Sequence, residues 1–162
     1  IEWSSVIGST LLVVFFGYAN FVLTGYYKDI SADRATGYNT FPVVFGLKVS
    51  SVVSDVLALL TLIGCGWAII GGLSDVHLSV ENSFALVFAA AGTATAVTGQ
   101  ARLHSVRTEG NAHRAIVPVV HAYVLLLSAI AVAQKPAWTL AIVFFYVAFL
   151  TAMKLRPMKQ QI

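Results

Sequence analysis

Two carboxylates, Asp29 and Asp33, stand four residues apart in the segment Tyr26-Tyr27-Lys28-Asp29-Ile30-Ser31-Ala32-Asp33-Arg34-Ala35-Thr36-Gly37-Tyr38-Asn39-Thr40-Phe41-Pro42-Val43-Val44-Phe45-Gly46. On a helix that spacing sets them one turn apart, about 5–6 Å between Cβ atoms, where like charges repel. A divalent cation between or beside them reverses the sign. Magnesium suits such a pair, because it keeps several waters and is commonly held by one or two carboxylates plus substrate phosphates. Lys28 and Arg34 flank the pair and can meet phosphate oxygens, arginine in bidentate fashion. Together these residues describe a magnesium–diphosphate site, with Asp29 and Asp33 as metal ligands and catalytic groups. Spacing alone leaves a second reading open, a wet polar loop whose charges pair locally.

The elements that must carry this segment are apolar. Of 162 residues 58% are hydrophobic and 10% are charged, with 10 Lys and Arg against 7 Asp and Glu, whereas a soluble domain carries roughly a quarter charged residues. Five windows hold no charge at all: Trp3–Tyr27, Val56–Ser74, Asn82–Ala101, Ala115–Gln134 and Pro136–Met153. A helix needs about 20 apolar residues to cross a hydrocarbon core. The sequence therefore predicts an all-α, polytopic transmembrane bundle of about five spans, read as one domain over residues 1–162. A water-soluble enzyme and a transcription factor are excluded. The spans are expected at Val6–Tyr27, Val43–Leu73, Ser83–Gln100, Ala115–Ala133 and Ala137–Met153, with Gly71-Gly72 ending the second and Pro42 near its start.

The pI of 9.2 and net charge of +3 do not point to nucleic acid, because the basic residues cluster at the ends of the windows. With the Asp-rich loop taken as cytoplasmic, Lys28, Arg34, Lys48, Arg102, Arg107, Arg114, Lys154, Arg156 and Lys159 fall inside, and only Lys135 falls outside, where Asp75 and Glu81 also lie. That asymmetry predicts a multi-pass protein with a cytoplasmic Asp-rich loop. Cys65, alone in an apolar window, allows no intrachain disulfide.

The segment resembles the second aspartate-rich motif of the UbiA superfamily of intramembrane prenyltransferases, approximately K-D-x-x-x-D-(R/K)-x-x-G-x-x-(T/S)-x-P-V-x-x-G. Lys28, Asp29, Asp33, Arg34, Gly37, Thr40, Pro42, Val43 and Gly46 match as they stand. The resemblance is specific over Asn20–Lys48, and elsewhere it rests on the pattern of helices. It implies magnesium-dependent transfer of a prenyl group from a prenyl diphosphate to an acceptor within the membrane. Asp29 and Asp33 would hold the metal, and Lys28, Arg34, Tyr26 and Asn20 would contact substrate. The partners so implied are prenyl diphosphate, membrane lipid and a prenyl acceptor whose identity the sequence does not reveal. The family's first motif, N-D-x-x-D-x-x-x-D, is absent from this chain. The resemblance thus implies the C-terminal half of the fold, working with its N-terminal half or a partner chain, and makes the last span a terminal addition. The chain's opening on Ile1 agrees with sequence lying upstream. The alternative, from a different class, is a non-catalytic membrane subunit that kept this scaffold and binds lipid, quinone or pigment.

Other polar residues carry weaker signals. Asp55, near the start of a long apolar helix, is either cavity-lining or solvated at the interface. His121 reads as a neutral core histidine bonded to a neighbouring carbonyl, with binding of the acceptor as the alternative, and His104 and His113 as surface residues. Arg102, Arg107 and Arg114 read as topology-setting, with contact to phosphate from the second cytoplasmic loop as the alternative. Gly64-Cys65-Gly66 reads as a packing notch rather than a nucleotide loop. Ala89, Gly92 and Ala96 form a small-residue face expected to meet another helix at close range. Tyr26 and Tyr27 are either interface anchors or neighbours of the diphosphate.

Overall fold

The computed structural model describes residues 4–73 and 80–155. Asp75, Arg156 and Lys159, which the sequence assigned to loops and the C-terminal tail, lie outside the described residues. Helix α1 (Ser5–Gly25) starts at Ser4, whose hydroxyl accepts a hydrogen bond from the Ile7 N–H at 3.3 Å, a conventional N-cap. A 3₁₀ turn, Tyr26–Lys28, leads into the short α2 (Ile30–Thr36). Then come α3 (Phe41–Leu73), α4 (Val80–Leu103), α5 (His113–Gln134) and α6 (Thr139–Leu155). Among the described residues, five helices are long and apolar enough to cross a membrane. The fold is all-helical, and the chain is that of a multi-pass membrane protein. Its perimeter suits lipid: Leu140, Phe144, Ile70, Phe15 and Trp67 are all exposed, and the helices satisfy their own backbone hydrogen bonds, as a bilayer requires.

Small residues set how closely these helices pack. Across α4 and α5, a Cβ added at Gly92 would stand 2.9 Å from the Leu126 side chain and 3.2 Å from its backbone nitrogen. The small-residue face read from Ala89, Gly92 and Ala96 is therefore an α4–α5 contact, and Gly99 extends it onto Val119. Gly64 does the same between α3 and α1, where an added Cβ would lie 3.1 Å from Val13 and 3.3 Å from the Ser9 carbonyl. Of the Gly64-Cys65-Gly66 notch, Gly64 is the half in contact, since a Cβ on Gly66 would meet nothing. Hydroxyls buried in the bundle bond back to their own helix, as Ser50 does to the Gly46 carbonyl at 2.8 Å and Thr61 to Leu57 at 2.7 Å.

Helix α6 stands apart from this packing, with 6% of its span buried. It leans on α5 where His121 Nδ1 meets the Tyr146 hydroxyl at 3.1 Å and its ring lies edge-on to Phe149. His121 is thus bonded to a tyrosine rather than to the carbonyl that its mid-span position predicted.

The long α3 has a break that hydropathy does not reveal. Gly46 has φ 78° and ψ 166°, a backbone region essentially reserved for glycine. It divides the first turn, Phe41–Phe45, from the spanning helix and turns that first turn away from the axis. Gly46→Ala should therefore cost about 1–3 kcal/mol, because any Cβ strains this conformation whatever space surrounds it. A chemical or thermal unfolding midpoint in detergent equal to the parent's would refute this.

Candidate functional site

The Asp-rich segment folds as a 3₁₀ turn and a short helix at one end of the bundle. Tyr27 anchors its start: the side chain is fully buried, and its hydroxyl lies 3.2 Å from the Leu47 carbonyl and from Ser51 Oγ on α3. Asp29 precedes α2, and the Asp33 N–H donates to the Asp29 carbonyl at 2.8 Å, so the two aspartates do stand one helical turn apart. Gly37, at φ 78°, ends α2. Its N–H donates to the Arg34 carbonyl at 3.4 Å and the Tyr38 N–H to the Asp33 carbonyl at 2.8 Å, the paired bonds of a Schellman stop that only a left-handed residue permits. The chain then doubles back, and the Thr40 hydroxyl donates to Asp33 Oδ2 at 2.9 Å. Pro42 is buried in the first turn of α3. Each of Gly37, Thr40, Pro42 and Gly46 thus has a physical task in shaping the loop that carries the carboxylates.

The carboxylates keep acceptor capacity. Asp33 has one oxygen on Thr40 and, among the described residues, no partner on the other. Among the described residues the Asp29 carboxylate makes only a loose contact with Lys28 Nζ, 3.8 Å from Oδ2, between side chains that are 44% and 58% exposed. Such an exposed pair contributes little to stability, and either member can turn to a ligand. Among the described residues no three His, Cys, Asp or Glu side chains gather as a metal cluster. Two carboxylates with free oxygens fit magnesium only where phosphate oxygens and water complete the shell.

Arg34 makes no ion pair within 4.0 Å among the described residues. It lines a cleft of about 530 Å³ together with Ile30, Leu47, Arg107 and Glu109. The cleft lies between α2 and the α4–α5 loop, so the two polar loops expected on one side of the membrane do meet. Glu109 of the second loop binds Ser31 of the first: its Oε1 accepts from the Ser31 N–H and its Oε2 from the Ser31 hydroxyl. Sequence reasoning missed Glu109. Its one signal was being the sole acid in a basic loop.

Tyr26 is 37% exposed beside the segment. Asn20 is not brought to the carboxylates. It is buried at 6% exposure and faces a small internal cavity of about 20 Å³, shared with Gly17, Thr61, Gln100 and Tyr123. That volume admits about one water. Ser54 Oγ lies 2.5 Å from Asn20 Oδ1 and 3.0 Å from Gln100 Oε1. One hydroxyl proton cannot serve two carbonyl oxygens, so one of these amides presents its NH₂ to Ser54 instead. Asn20, Ser54 and Gln100 tie α1, α3 and α4 together, whereas Lys28, Asp29, Asp33 and Arg34 remain together on the α2 turn.

Asp55 reaches the end of α4, where its Oδ2 lies 2.7 Å from His104 Nε2. Both side chains are partly exposed, at 40% and 47%, so the aspartate is partnered at the bundle's margin. Arg102 donates to the Arg114 carbonyl at 3.1 Å, and Arg107 to the His104 carbonyl at 3.1 Å.

No protein-family model, no curated protein and no solved structure matches the chain.

Proposed function

We propose that this chain belongs to a UbiA-type, magnesium-dependent intramembrane prenyltransferase and carries the half that binds the diphosphate leaving group. The observation that supports this most is the Asp29–Asp33 turn. Two carboxylates with free oxygens stand one turn apart at the polar end of a lipid-suited bundle, beside Lys28 and Arg34. Magnesium, when bound to Asp29, Asp33 and the diphosphate, would neutralise the charge that develops as the allylic C–O bond breaks. Lys28 and Arg34 would hold phosphate oxygens from either side. The first aspartate-rich motif would come from the N-terminal half of the fold or from a partner chain. Membrane lipid surrounds the apolar perimeter, and an acceptor meets the prenyl chain within the bilayer. No part of this reading calls on nucleic acid.

The polar end is the cytoplasmic one in this proposal. Lys28, Arg34, Lys48, Arg102, Arg107, Arg114 and Lys154 lie at the end reached by α1, α4 and α6, and Lys135 at the opposite end, the distribution that favours a cytoplasmic basic face. A cysteine at Gly110 should accordingly react with impermeant maleimide only from the cytoplasmic side, and one at Gly72 only from the other. Reversed labelling would put the carboxylates on the wrong face.

The function is tested by supplying isotopically labelled prenyl diphosphates of several lengths to membranes that contain the full-length protein, with magnesium titrated. The expected result is label moved into an apolar product in proportion to bound magnesium. No magnesium-dependent transfer at any prenyl length would favour the non-catalytic scaffold instead.

A further inference from the structure

Helix α2 has seven residues, too few to persist on its own hydrogen bonds, and its first turn leaves N–H groups in need of partners. An aspartate in the N-cap position ordinarily turns its carboxylate onto an N–H two or three residues ahead. Asp29 occupies that position and makes no such bond, its backbone lying at φ −118° and ψ 10°. The partner comes from elsewhere in the chain. Glu109, 78 residues away in sequence, uses one carboxylate oxygen for the Ser31 N–H and the other for the Ser31 hydroxyl. Among the described residues no lysine or arginine comes within 4.0 Å of Glu109, so α2 is where its charge is engaged.

We propose that Glu109 is a positioning residue for the cation site, capping α2 from the α4–α5 loop so that Asp29 need not. The Ser31 N–H is one of the two donors that an Asp29 cap would ordinarily use. With Glu109 on it, the Asp29 carboxylate is 44% exposed and loosely beside Lys28, open to a hard cation. The same tie makes the metal-binding turn depend on the α4–α5 loop, which also supplies Arg107 to the cleft beside Arg34. This inference rests on the reading of Asp29 and Asp33 as ligands of a magnesium–diphosphate complex.

The test measures binding rather than turnover. Manganese replaces magnesium, inorganic diphosphate is the probe, and the electron paramagnetic resonance signal of free manganese gives the half-saturation point of the full-length protein in lipid nanodiscs. Glu109→Ala removes both acceptors and should raise half-saturation about tenfold, the worth of two modest hydrogen bonds. Glu109→Gln can still accept from the Ser31 N–H and donate to its hydroxyl, and should stay within about threefold of the parent. If the alanine variant does not fold, Ser31→Ala removes one of the two bonds and should give a shift of about threefold. An unchanged half-saturation in Glu109→Ala, or in Ser31→Ala where that substitutes for it, overturns the proposal. Equal losses in the alanine and glutamine variants also overturn it, since charge and not the tie would then be acting. Asp29→Asn, measured alongside, separates the two layers. If it binds manganese like the parent, the metal reading fails and this inference falls with it. If it loses binding while Glu109→Ala does not, only the role of Glu109 is refuted.

Discussion

Asp29→Asn and Asp33→Asn should each slow magnesium-dependent diphosphate release by about a hundredfold or more, the scale on which electrostatic stabilisation of a leaving group is lost. Asparagine keeps the shape of aspartate and removes the charge that a hard cation needs. The fold should survive both changes. Asp29 makes no cap bond and only a loose contact with Lys28. At position 33 an amide oxygen can still accept the Thr40 hydroxyl, now at 2.9 Å from Asp33. Arg34→Lys should do less damage, because the charge remains while the bidentate geometry is lost. Rates of diphosphate release, with circular dichroism to report helix content, check all three. Parent-like turnover in both Asp→Asn variants would leave the scaffold reading in possession.

The second large effect is structural. Gly92→Leu should destabilise the bundle by about 1–3 kcal/mol or more, because the new side chain has no free volume to enter. Its first carbon alone would stand 2.9 Å from Leu126 side-chain atoms and 3.2 Å from the Leu126 backbone nitrogen. A leucine side chain can turn away, but a backbone nitrogen inside α5 moves only if the helices part. Association of helices in lipid depends on such close approach, so α4 and α5 should separate before the rest of the bundle yields. Thermal unfolding in detergent reports it, and an unaltered midpoint would contradict the packing described for this face.

The spans were legible because long uncharged windows have one physical solution in a membrane, and the helices α1, α3, α4, α5 and α6 follow the expected spans to within a few residues. The close approach at Gly92 was legible for a related reason, since small residues at three- and four-residue steps share one helix face. The one-turn separation of Asp29 and Asp33 followed from local spacing in the same way. Features that depend on which residues meet across the fold were not legible. Nothing in the order of residues pairs Glu109 with Ser31, Asp55 with His104, or His121 with Tyr146. The surroundings of Asn20 were equally out of reach: its place leading into the motif does not reveal that it is buried against Ser54 and Gln100 around a small cavity. Helix α2 escaped notice because it has only seven residues and no apolar run, and is held by a cap from another loop.

The central claim is that Asp29 and Asp33 hold a cation that also holds a diphosphate, and one spectroscopic measurement reaches it directly. With manganese bound to the full-length protein and inorganic diphosphate added, electron–nuclear double resonance reports whether phosphorus lies in contact with the metal. The account predicts a strong phosphorus coupling in the parent, lost from the protein-bound metal in both Asp29→Asn and Asp33→Asn. Manganese bound as tightly in those variants, or bound in the parent with no phosphorus coupling, would contradict it.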